Sequence, residues 1–205
     1  KEFSNSKEYF LKAIKIDSSF LDAYINLALV YEKLNEPLRA INSINMAIEI
    51  YPNYANPHYM KGRLCFESKE FFDSLTHFYK ALQIDPNHIL SLNYLIQTIK
   101  LTSLTNLNIN DIANFRKYYL FLFKNLIISH SEISYNAILF LLETDNYTQI
   151  KTIFNSNSSL LNNKIIKEFV KDELLCLILQ KSLLEGHFLE KVFTKLRFEM
   201  LINAR

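Results

Sequence analysis

Apolar residues in the first half of the chain recur with a fixed period. Ala13, Ala47 and Ala81 are evenly spaced along the chain, and an apolar residue stands three positions before and one position after each of them. Pro52 and Pro86 have the same separation. A repeat of this length is typical of stacked helical hairpins, in which one unit cannot bury its apolar face without its neighbours.

Small and bulky residues alternate within each unit in a way that fits paired helices. Small residues are expected where two helices approach closely, and bulky residues fill the space between them. Proline ends a unit because it cannot continue a helix and pushes the preceding residue out of the helical region. The small residues are Ala28, Ala40, Ala47, Ala81 and Gly62, and the bulky ones are Tyr24, Leu27, Tyr31, Tyr59, Phe66 and Phe78.

These positions resemble the tetratricopeptide-repeat (TPR) pattern at its own spacing. The resemblance implies an all-α fold, a right-handed α-α superhelix of hairpins. The second unit departs from the pattern at His58, Lys61, Cys65 and Ser74. The matching residues are Tyr24, Leu27, Ala28, Tyr31, Ala40, Ile44, Ala47 and Pro52 in one full unit, and Gly62, Phe78, Ala81 and Pro86 in the next.

The loss of the period divides the chain into a TPR array at 1–101, a polar, Asn-rich linker at 102–110 and a non-repeat helical bundle at 111–205. Only two glycines and four prolines occur, which favours long helices over sandwiches and barrels. The sequence begins within a repeat, so we expect at least one further helix upstream. The array divides into a partial repeat at 1–20, full repeats at 21–54 and 55–88, and the first helix of a further unit at 89–101.

Helix boundaries follow from the same pattern and from the turn residues. We expect Asp111 to cap the helix after the linker, and the aromatic helix around Tyr118 and Phe123 to cover the end of the array. In the array the predicted helices are Phe3–Ile16, Leu21–Leu34, Pro37–Ile50, Pro57–Ser68, Glu70–Ile84 and Asn87–Lys100. After the linker they are Ile112–Ile128, Glu132–Leu142, Tyr147–Phe154, Lys164–Leu184 and Phe188–Ile202.

A second, shorter resemblance lies near the end of the chain. The leucine-rich segments 174–184 and 189–197 resemble a helical connector found in bacterial proteins that carry TPRs in front of an S-adenosylmethionine-dependent methyltransferase domain. This resemblance implies that the chain is the non-catalytic, substrate-recruiting region of such an enzyme. A homo-oligomerisation scaffold is a further alternative.

Charge and motif content exclude several kinds of chemistry. Lys and Arg total 23 against 21 Asp and Glu, so the net charge of +2 predicts neither a nucleic-acid nor an anionic-lipid partner. Gly62 and Gly186 stand alone, which excludes a P-loop and a dinucleotide fingerprint. We therefore expect no catalytic residue and no cofactor on this stretch. No metal-binding spacing occurs at the histidines, which are His58, His77, His88, His130 and His187.

The two cysteines and the apolar runs bear on where the protein is located. Cys65 and Cys176 lie on apolar helical patterns, so we expect buried free thiols. Each apolar run is shorter than the roughly 20 residues that a bilayer span requires. The sequence thus predicts a cytoplasmic protein with no membrane partner.

The remaining candidate is a binding groove formed by the first helix of each unit. Amide side chains can hydrogen-bond an extended peptide backbone, and tyrosines can cover its side chains, so we expect a protein or peptide ligand. By helical phase the groove residues are Asn26, Leu29, Lys33, Tyr59, Arg63, Glu67, Asn93, Tyr94, Gln97 and Lys100.

The residue types in this groove fit one known ligand class poorly. TPRs that hold the C-terminal carboxylate of heat-shock chaperones need a lysine, asparagine and arginine clamp. Asn26, Arg63 and Lys100 have suitable side chains, but Met60 and Asn93 stand where further clamp residues are expected. We also expect that replacing Arg63 and Tyr94 together would abolish binding without unfolding the protein.

Overall fold

The computed structural model describes residues 2–104, 107–125, 131–142 and 171–181, together with the single residues 164, 168 and 194. The chain divides into two compact units, Lys1–Thr102 and Ser103–Arg205. All regular structure within the described ranges is α-helical. The predicted all-α fold class is confirmed.

The first unit is a stack of helices joined by short turns. Helix α2 pairs with α3 and α4 pairs with α5 as two hairpins, and α1, α3 and α5 each pack on the helix that follows. The buried core of each hairpin contains the alanines of the repeat, among them Ala40, Ala47 and Ala81, none of which is exposed. The helices are α1 (Glu2–Ile16), α2 (Leu21–Lys33), α3 (Pro37–Ile50), α4 (Ala55–Glu67), α5 (Phe71–Ile84) and α6 (Ile89–Leu101).

Gly62 marks the closest approach within the second hairpin. A Cβ atom built on Gly62 would lie 2.7 Å from Cδ1 and 2.8 Å from Cε1 of Phe78. Real Cβ contacts are essentially never that short, so the Phe78 ring can occupy this position only because residue 62 has no side chain. The prediction that small residues mark close helix approach is confirmed here.

Both hairpins turn in the same way although neither turn contains glycine. Asn35 (φ 58°) and Lys69 (φ 64°) adopt the left-handed conformation shortly after α2 and α4, at equivalent positions of the two repeats. The next amide closes the turn in each case, with Glu36 N donating to Tyr31 O at 2.9 Å and Glu70 N to Cys65 O at 2.8 Å. This is the Schellman ending of a helix.

The array does not make this turn a third time. Thr102, which follows α6, is extended, with φ −79° and ψ 130°. Helix α6 therefore ends without the left-handed turn residue that follows α2 and α4.

The second unit contains α7 (Ile109–Lys124), α8 (Ser131–Leu142) and α9 (Glu173–Lys181) among its described residues. Helix α7 packs on α8 through Phe115, Tyr119 and Phe140, whose ring centroids lie 5.3–6.4 Å apart. Two ion pairs hold α9 against α7. They are Arg116 with Asp172, and Lys124 with Glu173 at 2.6 Å.

The helix predicted over Ile112–Ile128 spans Ile109–Lys124, so it begins inside the predicted linker 102–110 and ends earlier than predicted. Helix α6 begins at Ile89 and not at Asn87.

Two further predictions at helix starts need correction. Helix α4 begins at Ala55, so Pro57 occupies its third position and not its first. The cap of α7 is Asn108, whose side chain accepts from Asp111 N at 2.9 Å. Asp111 completes a capping box by accepting from Asn108 N, and does not itself cap the helix.

The single helix predicted over Lys164–Leu184 is also wrong. The chain turns at Lys171, and Asp172 starts α9 by accepting a hydrogen bond from Leu175 N at 3.0 Å. Asp is a strong helix cap, and this one overrides the apolar pattern that runs through it. The predicted helices Tyr147–Phe154 and Phe188–Ile202 lie outside the described residues, as does the second half of the connector resemblance.

The two cysteines differ in environment. Cys65 is buried, as predicted, and burial raises the pKa of its thiol. Cys176 is exposed, so the prediction of a buried thiol there is wrong. Leu175 and Ile178 take the buried side of α9 and turn Cys176 outward.

No helix in the part of the chain that the structure describes is long and apolar enough to cross a membrane. The same residues contain no cluster of three or more metal-ligating side chains.

Candidate peptide-binding face

The first helices of three successive repeats, α2, α4 and α6, lie next to one another. Helix α4 contacts α6, and Arg63 of α4 forms an ion pair with Glu32 of α2. We call the surface formed by these three helices, where the sequence predicts ligand binding, the binding face. It presents the predicted groove residues in three rows, which are Asn26, Leu29 and Lys33 on α2, then Tyr59, Arg63 and Glu67 on α4, and finally Asn93, Tyr94, Gln97 and Lys100 on α6.

An ion-pair cluster joins α2 to α4 on this face. Arg63 Nη2 donates to both carboxylate oxygens of Glu32, at 2.6 and 2.5 Å, and Nη1 donates to Glu67 Oε1 at 2.6 Å. The side chains of Arg63 and Glu32 are only 18% and 17% exposed, whereas that of Glu67 is 56% exposed. The charge of Arg63 is therefore balanced within the protein. In this structure the side chain links two successive repeats.

An aromatic cluster joins α4 to α6 in the same way. The Tyr94 ring stacks on Phe78 at 5.2 Å between centroids and meets Phe66 edge-on at 5.4 Å and Tyr59 at 5.9 Å. Tyr59 also contacts His88, with centroids 5.3 Å apart, and burial raises the pKa of its hydroxyl. Such aromatic pairs stabilise packing beyond the area that they bury.

The predicted groove residues therefore fall into two groups. Tyr59, Arg63 and Tyr94 form the rigid framework of the binding face. We expected that Arg63 and Tyr94 can be replaced together without affecting the fold. This expectation does not agree with the geometry, because their removal would break contacts between repeats. The predicted members that are exposed are Leu29, which is 42% exposed, and the side chains of Lys33, Glu67, Asn93, Gln97 and Lys100.

Asn26 has a more local role. Its Nδ2 donates to the backbone oxygen of Asp22 at 2.8 Å, one helical turn earlier. The side chain is half-buried, so it offers a ligand less than Asn93 does.

Sequence reasoning missed two residues of this face. Glu32 is the partner of Arg63, and His88 caps α6 by accepting from Ser91 N at 3.2 Å while its ring packs on Tyr59. The sequence contains a signal for this ion pair, because Glu32 lies about one helical turn after the position of the preceding repeat that is equivalent to Arg63.

Comparison with known proteins agrees with this architecture. The tetratricopeptide-repeat family model matches residues 21–54. The human protein O-mannosyl-transferase TMTC3 is 26% identical over 90 residues, which are 43% of this chain and 10% of that protein. The match thus spans about a tenth of the relative's length.

Three solved structures are similar to this chain at low sequence identity and with TM-scores below 0.5. The first TPR of Spaghetti (RPAP3), bound to the HSP90 peptide SRMEEVD, is 17% identical with a TM-score of 0.46, covering 49% of this chain and 79% of that one. The MamA crystal structure is 14% identical with a TM-score of 0.48, covering 69% and 80%. A tetratricopeptide repeat protein from Parabacteroides merdae is 16% identical with a TM-score of 0.46, covering 97% and 78%. Within the first unit of this chain, residues 21–54 are thus similar to a tetratricopeptide repeat.

Proposed function

We propose that the chain is a protein-interaction module that binds a protein or peptide segment on the binding face. The observation that supports this most directly is the combination of exposed amide side chains with a rigid support. Asn93 and Gln97 are exposed on α6, and the Tyr94 ring between them is held by three aromatic side chains of the preceding repeat. A surface held in place before binding loses little conformational entropy when a ligand docks.

The exposed side chains define what such a ligand would contact. Each amide has a carbonyl acceptor and an NH₂ donor, so Asn93 and Gln97 can hydrogen-bond the N–H and C=O groups of an extended backbone. Leu29 offers an apolar contact on α2. The ligand that fits is therefore an extended segment bound through its backbone and an apolar side chain.

The ion-pair cluster disfavours recognition of a terminal carboxylate. RPAP3 is bound to a peptide with an acidic end, but its likeness to this chain is one of fold only. Here Arg63 is already engaged by Glu32 and Glu67, and two carboxylates around one guanidinium would repel an incoming anion. We therefore place the ligand outside the chaperone-carboxylate class.

A capture experiment with matched variants tests this proposal. Asn93→Ala/Gln97→Ala removes both exposed amides from the binding face, and Asn45→Ala/Gln83→Ala removes the same two side chains from exposed positions on α3 and α5. We expect the first variant to lose proteins that the wild type retains from a lysate of the source organism, and the second to keep them. Loss in both variants, or in neither, would move the binding site away from the α2, α4 and α6 surface.

The finer alternatives stay predictions. A methyltransferase connector would require a cofactor-binding domain in the same polypeptide, which the sequence of the full-length gene would reveal. A homo-oligomerisation scaffold would show a concentration-dependent mass in solution. The transferase activity in the name of the TMTC3 relative is not transferred to this chain, since the matched segment is about a tenth of that protein. The cytoplasmic location is likewise a prediction, and cell fractionation tests it.

A further inference from the structure

Two histidines face each other inside the α4–α5 hairpin. The rings of His58 on α4 and His77 on α5 are stacked, with centroids 6.0 Å apart and planes inclined by 25°. His58 is 6% exposed and His77 is half-buried. Neither belongs to the exposed part of the binding face, so packing and not ligand contact explains their positions.

The equivalent positions of the first hairpin show what His58 replaces. Tyr24 holds the position of His58 in the preceding repeat, and its hydroxyl donates to Ser18 O at 3.3 Å. His58 Nε2 lies 3.2 Å from Pro52 O, the equivalent carbonyl. A carbonyl oxygen can only accept, so the hydrogen bond assigns the proton of neutral His58 to Nε2.

This tautomer leaves Nδ1 of His58 buried without a hydrogen-bond partner. Protonation would place an N–H donor and a positive charge at that buried atom, with nothing in the described surroundings to accept the proton. Burial accordingly lowers the pKa of His58, and it lowers the pKa of His77 to about 4.

Charged groups around the pair act mostly in the same direction. Lys61 on α4 lowers the pKa of both rings and Lys80 on α5 lowers that of His58, whereas Asp73 on α5 raises that of His77. His58 also lowers the pKa of His77. A protonated histidine in this hairpin would therefore lie near two lysines and only one carboxylate.

The pair is coupled to the binding face through its neighbours in the sequence. Tyr59 follows His58 and Phe78 follows His77, and both rings contact Tyr94. If α4 and α5 separate, the aromatic cluster that supports α6 is lost.

We propose that the His58–His77 pair makes the second repeat an acid-sensitive switch, in which protonation opens the α4–α5 hairpin and dismantles the middle of the binding face while the α2–α3 hairpin stays closed. The first hairpin has Tyr24 and Ser43 at the equivalent positions and contains no histidine. The proton is the effector, and the switch does not depend on the identity of the ligand.

The direction of the pH effect follows from the difference in histidine pKa between the closed and the opened hairpin. An unfolded histidine has a pKa of about 6.5, and the folded pair binds protons only at lower pH. The opened hairpin therefore binds more protons than the closed one between about pH 6.5 and about pH 4, and the closed form loses stability as the pH falls through that window.

Amide hydrogen exchange of the full chain, read by mass spectrometry as protection factors, tests this switch. Between about pH 7.5 and about pH 5 we expect the protection factors of α4 and α5 to fall by about tenfold or more, while those of α2 and α3 change by less than about twofold. Equal loss in both hairpins, or no loss in α4 and α5, would overturn the proposal.

Variants taken from the chain's own first repeat provide the controls. His58→Tyr/His77→Ser copies Tyr24 and Ser43 into the second hairpin and should remove the acid-induced loss of protection; if this double variant does not fold, His77→Ser alone should reduce the loss. The reverse graft, Tyr24→His/Ser43→His, should transfer the acid sensitivity to α2 and α3. An acid response that persists in the histidine-free hairpin would contradict the assignment.

Discussion

Arg63 and Glu32 join the first helices of two successive repeats through a two-pronged ion pair, in which Arg63 Nη2 lies 2.6 and 2.5 Å from the two carboxylate oxygens. Both side chains are more than four-fifths buried. A partly buried charge that loses its partner keeps the desolvation penalty without the compensation. The pair therefore couples the stability of one repeat to that of the next.

Arg63→Ala should lower the free energy of unfolding by about 1–3 kcal/mol, because Glu32 then remains largely buried without its cation. Arg39→Ala is the matched control, since Arg39 pairs with Glu36 at 2.8 Å but is 60% exposed. We expect the control to change stability by less than about 1 kcal/mol. Urea unfolding followed by circular dichroism measures both, and equal effects would contradict the inter-repeat role of Arg63.

Lys69→Gly should stabilise the first unit by about 0.5–1 kcal/mol, because glycine adopts the left-handed region freely whereas a residue with a Cβ atom is disfavoured there. Lys69 has φ 64°. Asn35→Gly at the equivalent turn should gain less, because asparagine tolerates this conformation better than lysine. Thermal unfolding of the two variants side by side checks the order, and a larger gain at residue 35 would count against this explanation.

Gly62→Ala should destabilise the second hairpin although alanine is the better helix former by about 1 kcal/mol. The new methyl group would overlap the Phe78 ring, which is fully buried and cannot move away freely. We expect a net loss of about 1–2 kcal/mol. A Phe78→Leu background should reduce that loss, so a double-mutant cycle that shows no coupling between the two positions would exclude the clash as its cause.

The two thiols should differ sharply in reactivity. Cys176 is exposed, whereas Cys65 is buried and has a raised thiol pKa, so less thiolate is available at Cys65. A thiol-reactive chromogenic reagent should label one cysteine rapidly in the native wild type, with Cys176→Ser removing the fast phase and Cys65→Ser preserving it. Fast labelling that survives in Cys176→Ser would show that the α4–α5 hairpin opens readily.

The repeat architecture could be predicted from the sequence because its cause is local and periodic. An alanine at the same position of each repeat, with fixed apolar neighbours, determines which helix faces meet, and Ala47 and Ala81 are indeed fully buried. The Phe78 contact with Gly62 follows from the same logic. These features require knowledge only of helix period and side-chain size.

The features that were missed depend on side-chain geometry or on competing local signals. The Arg63–Glu32 pair forms across two repeats, so neither residue by itself reveals that the arginine is already engaged. Asn108 and Asp111 are both good caps, and the sequence does not decide which one ends up at the cap position. At Cys176 the surrounding leucines suggested burial, although only one side of α9 is covered.

Site-specific photo-crosslinking tests the central claim most directly, namely that partners dock on the surface of α2, α4 and α6. A photoactivatable amino acid at position 97 would stand at the exposed Gln97 of the binding face, and the same residue at position 83 would replace the exposed Gln83 on α5. In a lysate of the source organism we predict light-dependent protein adducts from position 97 and none of the same mass from position 83. Adducts formed only from position 83 would contradict the account and place the docking surface on the second helices of the repeats.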